Sequence, residues 1–157
     1  MFYEFSQNNS GGYFKVDDKV CHRLFIEADD KDEAIYKAGK LGCYWNGVSE
    51  GIDCECCGDR WHMYCDEYTD KDFPKDYNVT SYSGFEEWYK RYGDYTIKNN
   101  PSPDHTSIFS NCYKGTLCFN TIEEYAQFLA NEYGATKPDI RIFYKNGNVK
   151  EIFKSEK

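Results

Sequence analysis

The sequence predicts an α+β protein with a small mixed or antiparallel sheet, two main helices, a C-terminal β-hairpin and a cysteine-rich loop region. Three features indicate this class: strand-like alternation of apolar residues, amphipathic helical segments with capping residues, and a stretch around the cysteines without a long periodic pattern. A chain of 157 residues can bury roughly two-thirds of its unfolded surface. We therefore expect a single domain over residues 1–157.

The N-terminal part is expected to be rich in strands. Phe2–Phe5 is predicted as a strand, and the turn-rich residues 7–12 with the apolar run 13–16 indicate a hairpin. Val20–Ala28 has apolar residues at every second position and places His22 on its apolar face.

Three helices are predicted from apolar residues at three- and four-residue spacing, each followed by a glycine. The two longer ones also follow side chains that can cap a helix. The predicted segments are Lys31–Leu41 after Asp29 or Asp30, the short Phe85–Tyr92, and Ile122–Tyr133 after Thr121 with Glu124 in capping-box spacing.

The C-terminal part adds strands. Gly115–Phe119 is predicted as a strand, and Ile140–Tyr144 and Val149–Phe153 flank the dipeptide Asn146-Gly147. Since both central positions of a tight hairpin turn need positive φ, this dipeptide indicates a β-hairpin.

Two stretches have no long periodic pattern. Residues 43–80 contain glycines, clustered cysteines and a charged run, and a bound metal is expected to order residues 43–65 as a zinc-knuckle region. Residues 99–104 form a proline-bearing segment that is expected to be a loop, and a possible internal linker.

The charge distribution limits the class of partner. The net charge of −8 divides into −11 for residues 1–136 and +3 for residues 137–157. Phosphate backbones would repel such a chain at long range, so nucleic acid is not expected as a direct partner. Basic proteins are the favoured partners, and two groups of acidic residues, 29–33 and 66–76, would form an anionic face if they adjoin.

The sequence has no membrane-spanning apolar run and no signal-peptide pattern, so we expect a cytoplasmic protein that does not act at a membrane. In a reducing compartment, eight cysteines indicate metal ligands or redox groups rather than disulfides.

The pattern Cys54-x-x-Cys57-Gly58 is typical of a zinc knuckle. Its spacing lets both sulfur atoms reach one ion, and the glycine permits the tight turn that follows. Reduced cysteines without a metal and a redox pair are the alternatives. No thioredoxin-like strand-to-helix context supports the redox pair.

A structural zinc ion needs four ligands, and the sequence leaves the second pair open. His62 and Cys65 are near in sequence, whereas His22 could contribute from its strand. Cys56 is a further thiol, although ligation by adjacent Cys56 and Cys57 requires unusual backbone geometry.

Three segments together resemble a family of small uncharacterised phage and mobile-element proteins. They are residues 2–12, residues 22–29 and the motif CxCCGDRW at residues 54–61. The resemblance covers roughly the first 65 residues. It matches the family's histidine to His22 and its thiols to Cys54, Cys56 and Cys57, and so implies a Cys3His zinc site.

The resemblance further suggests an anti-CRISPR protein that binds a bacterial type II RNA-guided nuclease, in the host cytoplasm if the chain is phage-encoded. It supplies no catalytic residues. Three thiolates and an imidazole would close the coordination sphere, so we expect a structural ion and no enzyme. The alternatives are a zinc-dependent enzyme acting on a small molecule or nucleotide, and a zinc-stabilised nucleic-acid-binding module.

Other candidate residues are expected to be structural. His105 and Cys112 lack a third group at the spacing of a cysteine protease. Cys43 and Cys118 are expected to pack in the core or in a strand, Arg60 to pair with a nearby acid, and Trp61 to pack over the metal site. Some of the middle tyrosines are expected to be exposed interface anchors; they are Tyr68, Tyr77, Tyr82, Tyr89, Tyr92 and Tyr95.

Overall fold

A computed structural model describes residues 1–105 and 111–155 and has a mixed α+β fold. Its strands are β1 (Phe2–Ser6), β2 (Arg23–Glu27), β3 (Asp66–Tyr68), β4 (Lys75–Ser81), β5 (Ile97–Pro103), β6 (Tyr113–Phe119), β7 (Ile140–Phe143) and β8 (Val149–Ile152). Its α-helices are α1 (Lys31–Leu41), α2 (Phe85–Tyr92) and α3 (Ile122–Tyr133). None of these helices is long and apolar enough to cross a membrane, within the residues described.

The chain forms two compact units. The first contains Met1–Asp70 and Tyr125–Lys157, and the second contains Lys71–Glu124. The first unit holds a five-stranded sheet in the order β3-β1-β2-β7-β8, in which only the β2–β7 pair is parallel. The second unit holds the antiparallel sheet β4-β6-β5 together with α2.

The central strands of the first sheet are buried on both faces. Tyr3 of β1 and Leu24 of β2 belong to a core cluster with Ala34 and Ala38 of α1. Because successive strand residues point to opposite faces, Phe25 lies on the other side, where its ring packs near Tyr68 of β3. Both sides of β1 and β2 are thereby shielded from water.

The capping residues predicted from sequence begin both main helices. Asp30 accepts a hydrogen bond from the Glu33 N–H at 2.8 Å, and the Glu33 carboxylate accepts one from the Asp29 N–H at 2.9 Å. Thr121 likewise accepts from the Glu124 N–H. These contacts satisfy N–H groups that have no partner within a helix, so the predicted bounds of both helices are confirmed.

The core of the second unit is centred on Trp88 of α2. The Trp88 indole N–H donates to the Val79 carbonyl of β4 at 3.2 Å, and the ring lies against Gly115 of β6. A side chain at Gly115 would overlap the ring. Glycine therefore allows α2 to approach the sheet closely.

The predicted hairpin over residues 2–16 is wrong. β1 pairs with β2 on one side and β3 on the other, so no free edge remains for residues 13–16. The Gln7 side-chain amide instead forms two hydrogen bonds with the main chain of Lys15. It accepts from the Lys15 N–H at 2.7 Å and donates to the Lys15 carbonyl at 2.6 Å. Side-chain hydrogen bonds rather than a strand ladder close this loop.

Two further sequence predictions differ from the structure. Residues 75–81 lie mostly in the stretch without a predicted element, yet they form β4, whose outward side chains are polar. Residues 99–103 were expected to be part of a linker loop, but they belong to β5 inside the second unit. β5 is an edge strand with register shifts, where prolines that lack an N–H are tolerated.

Candidate metal centre

Three thiols of the sequence motif converge at the surface. The sulfur atoms of Cys54, Cys56 and Cys57 all lie within 4.8 Å of one another. The Cys56 and Cys57 sulfurs are 3.8 Å apart, and those of Cys54 and Cys56 are 2.7 Å apart. In a tetrahedral thiolate site with metal–sulfur bonds of about 2.3 Å, sulfur atoms are separated by about 3.8 Å. The group could hold a metal ion after Cys54 and Cys56 separate by about 1 Å.

A tight turn produces this convergence. The Cys57 and Gly58 N–H groups donate to the Cys54 carbonyl at 3.3 and 3.0 Å. Gly58 has φ of +86°, which residues with a Cβ rarely adopt. The turn therefore positions two of the three thiols without help from a helix or strand.

The segment after β1 fixes the knuckle, which we define as residues 54–58. The Cys54 N–H donates to Ser10 Oγ at 3.0 Å, and the Asn8 side-chain amide donates to the Cys57 carbonyl. The Asn8 N–H also donates to the Arg60 carbonyl at 2.8 Å. Contacts across more than forty residues of sequence thus hold the knuckle against the end of the sheet.

Arg60 lies at the centre of this arrangement. Its N–H donates to Asp53 Oδ2 at 2.8 Å, and its guanidinium donates to Tyr44 Oη at 3.2 Å. The guanidinium also donates to the Ser10 and Tyr13 carbonyls at 2.6 and 2.8 Å. The expected pairing of Arg60 with an acid is confirmed, and one buried side chain joins three loop segments.

None of the residues predicted as a further ligand joins the three thiols. Among the described residues, no histidine nitrogen lies within 4.8 Å of all three sulfurs, and the Cys65 sulfur does not either. The strand predicted over Val20–Ala28 begins only at Arg23, so His22 lies just before β2 rather than in it. Its ring packs against Phe14 with ring centroids 4.1 Å apart, and burial lowers its pKa to about 4. Its carbonyl accepts from the Gln7 N–H next to Asn8. His22 is therefore near the same loop, and its role as a ligand stays a prediction.

The thiols differ in their readiness to bind a metal. The hydrogen bond with Cys56 lowers the pKa of Cys54 to about 7, and the same bond raises the pKa of Cys56 to about 11. A metal must displace the protons that remain on its thiol ligands. By contrast, burial raises the pKa of Cys43 to about 12, which fits the predicted core thiol.

Two acidic segments of the first unit lie close together in space. The sequence alone does not decide whether they adjoin. Burial is the largest cause of the raised pKa of the Tyr3 hydroxyl, and the negative charges of Glu67, Asp30 and Glu33 raise it further. Glu67 pairs with Tyr3 across β1 and β3, whereas Asp30 and Glu33 begin α1. The acidic face, defined as Asp30, Glu33 and Glu67, therefore spans the start of α1 and the sheet edge, whereas Asp66 lies opposite Glu4 on the other side of the sheet.

The tyrosines expected to act as anchors divide between surface and core. Tyr82 and Tyr89 are exposed, whereas Tyr68 and Tyr92 are buried and Tyr77 and Tyr95 are half-buried. Trp61 is buried in the core cluster that contains Tyr3 and Ala34, and its packing over the metal site stays a prediction.

A protein-family model described as a domain of unknown function (DUF7296) matches residues 1–157. Comparison with curated proteins and with solved structures gives no significant match.

Proposed function

The chain belongs to the DUF7296 family over its whole length, and we propose that it is a non-catalytic binding protein stabilised by zinc. The observation that carries this proposal is the convergence of three thiols on a turn held by a buried arginine. The metal would join loops that have few main-chain ladder contacts of their own. Structural zinc ions contribute about 10–16 kcal/mol in small zinc-finger peptides, which equals the stability of a whole domain.

Zinc suits this donor set better than other common divalent ions. Thiolates are soft ligands that select zinc over magnesium or calcium, which prefer oxygen. The proposed ligands are Cys54, Cys56, Cys57 and His22. Three thiolates would leave the site with a net charge of about −1, a poor environment for activating water. We therefore assign the ion a structural role.

The acidic face supports a basic protein partner. Several carboxylates gathered on one surface accelerate association with a positively charged partner, and salt weakens that attraction. We propose that the partner is a bacterial type II RNA-guided nuclease, whose DNA-binding channel must be basic to hold nucleic acid. Occupying that channel would block DNA loading without any chemical step.

Binding and inhibition test this proposal directly. The purified nuclease is mixed with the chain at low and moderate salt, and complex formation and DNA cleavage are both measured. Glu67→Lys reverses an exposed charge of the acidic face, and Asp18→Lys makes the same change in an exposed loop. We expect the first to weaken inhibition about tenfold and the second to change it little.

The metal is examined in the same preparation. Removing zinc with a chelator should abolish binding because the loops around the knuckle lose their order. The absence of a complex at low salt, with undiminished cleavage at excess protein, would reject the nuclease as the partner.

A further inference from the structure

A cavity of about 350 Å³ lies directly after the knuckle in the first unit. Its volume falls in the range of pockets that bind small molecules or single side chains. Residues 59–64, which follow the knuckle, supply one wall, and residues from α1 and from the loop after it supply the others. The lining residues include Ile35, Trp45, Asp59, Trp61, Met63 and Tyr64.

The cavity combines aromatic surfaces with one carboxylate. Trp45 is anchored on the core by Phe5, with ring centroids 6.0 Å apart, whereas Tyr64 is 86% exposed at the surface. Asp59 accepts a hydrogen bond from the Val48 N–H at 2.8 Å, which fixes the carboxylate in place. A carboxylate has lone pairs for several donors, so this bond leaves capacity for a ligand.

A cation already occupies part of this environment. The Lys31 ammonium lies over the Tyr64 ring, 5.8 Å from its centroid. Lys31 is an exposed residue at the start of α1, so its flexible side chain can move away. The position of Lys31 indicates that the ring accepts a positive charge, which aromatic faces attract.

A second, independent observation concerns Trp61. Its indole N–H is buried and has no hydrogen-bond partner among the described residues. Buried donors are seldom left unpaired, so this one calls for an acceptor. Because this N–H is enclosed, a carbonyl oxygen of a bound peptide would accept from it only after the Trp61 ring shifts toward the cavity.

We propose that this cavity binds an arginine side chain presented by a basic protein partner. The inference rests on the proposed function, because it names the contact that a basic partner would make. A planar guanidinium stacks on aromatic rings and forms paired hydrogen bonds with a carboxylate, and the site offers both. The adjoining acidic face adds charge complementarity, and aromatic residues with arginine are typical anchors of protein interfaces.

Two small probes test the inference without the nuclease. N-acetyl-arginine methylamide carries the guanidinium, and N-acetyl-citrulline methylamide has the same shape without the charge. The chain contains three tryptophans, of which Trp45 and Trp61 line the cavity and Trp88 lies in the other unit. We expect the arginine probe to shift the Trp45 and Trp61 indole N–H resonances saturably, and the citrulline probe to leave them unchanged.

Variants separate the charge contact from the fold. Asp59→Asn keeps an acceptor for Val48 and should weaken arginine binding about tenfold. Lys31→Ala should tighten binding, because the Lys31 ammonium competes for the Tyr64 ring. Asp18→Asn removes the same charge from an exposed loop and serves as the control. If Asp59→Asn fails to fold, Tyr64→Ser removes an exposed ring instead and should also weaken binding.

The outcomes distinguish this inference from the nuclease proposal. Equal binding of both probes, or no saturable shift, would overturn the arginine site even if the nuclease binds. Weaker binding by Lys31→Ala would also overturn it, because that result indicates an anionic ligand. Arginine binding with no nuclease complex would support the site while rejecting that partner.

Discussion

Arg60 and Asp53 form a buried ion pair beside the turn that carries the three thiols. Their side chains are 4% and 1% exposed, the Arg60 Nε lies 3.8 Å from Asp53 Oδ1, and the Arg60 N–H donates to Asp53 Oδ2. Tyr44 Oη donates to the same carboxylate at 2.8 Å. The position of the knuckle therefore depends on a polar network in which each charge is compensated by the other.

Replacing Arg60 should strongly destabilise the first unit. Arg60→Met removes the charge that compensates Asp53, and leaving one partner of a buried pair alone typically costs about 3–5 kcal/mol. Urea denaturation followed by circular dichroism measures the loss, with Lys19→Met, at an exposed position, as the control. A loss below about 1 kcal/mol, the range of a surface ion pair, would contradict a central role for Arg60.

Gly115 should be sensitive to the smallest possible enlargement. Gly115→Ala places a Cβ against the Trp88 ring, and overpacking typically costs about 1–3 kcal/mol. Gly39→Ala is the matched control, because nothing lies within 4 Å of its added Cβ inside α1. That change should stabilise the protein by up to about 1 kcal/mol. Equal thermal midpoints for the two variants would refute the close packing of α2 on β6.

Glu4 should make stability depend on pH. Burial raises the pKa of its carboxyl above the ordinary value of 4.5, despite the ion pair with Arg23 at 2.9 Å. The folded state therefore holds the proton more tightly than the unfolded state does. The resulting stability is fully present below the unfolded-state pKa and is lost as the pH rises through the folded-state pKa.

The Glu4→Gln variant tests this dependence. Relative to this variant, the wild-type free energy of unfolding should fall as the pH rises from about 4 toward neutrality, because only the wild type must ionise the buried group. Glu50→Gln changes an exposed carboxyl and provides the control. A wild-type advantage that grows with pH over this range would reverse the expected sign.

The fourth metal ligand can be identified by comparing two histidines. His22→Ala should weaken zinc binding at least about tenfold in competition with a chromophoric chelator, because it would remove one ligand of four. His62→Ala, which changes an exposed residue, should leave the affinity unchanged. The opposite ranking would move the imidazole ligand to His62 and reject the Cys3His assignment.

Local signals in the sequence account for much of the fold. The capping residues Asp30 and Thr121 predict where α1 and α3 begin, and Asn146-Gly147 predicts the hairpin of β7 and β8, although Gly147 but not Asn146 has the expected positive φ. Each signal acts through hydrogen bonds or φ values within a few residues. Such local chemistry can be recognised without knowledge of the rest of the chain.

Long-range features could not be predicted in the same way. The parallel pairing of β2 with β7 joins segments more than one hundred residues apart, and no local pattern specifies it. The Arg60 guanidinium contacts the Ser10 and Tyr13 carbonyls across 50 and 47 residues of sequence, so only its need for an acid partner could be predicted. The approach of Cys54 and Cys57 could be predicted because their spacing is local, whereas Cys56 was included only through the family resemblance. The cavity after the knuckle arises from three separate segments.

Zinc content is the most direct measurement of the central claim that a thiolate-bound ion stabilises this fold. Elemental analysis of the purified chain should give one zinc ion per molecule. Cys57→Ser should lose the zinc and with it the order of residues 43–65, whereas Cys65→Ser should retain both. A metal-free wild type of undiminished stability, or full zinc content in Cys57→Ser, would contradict the account.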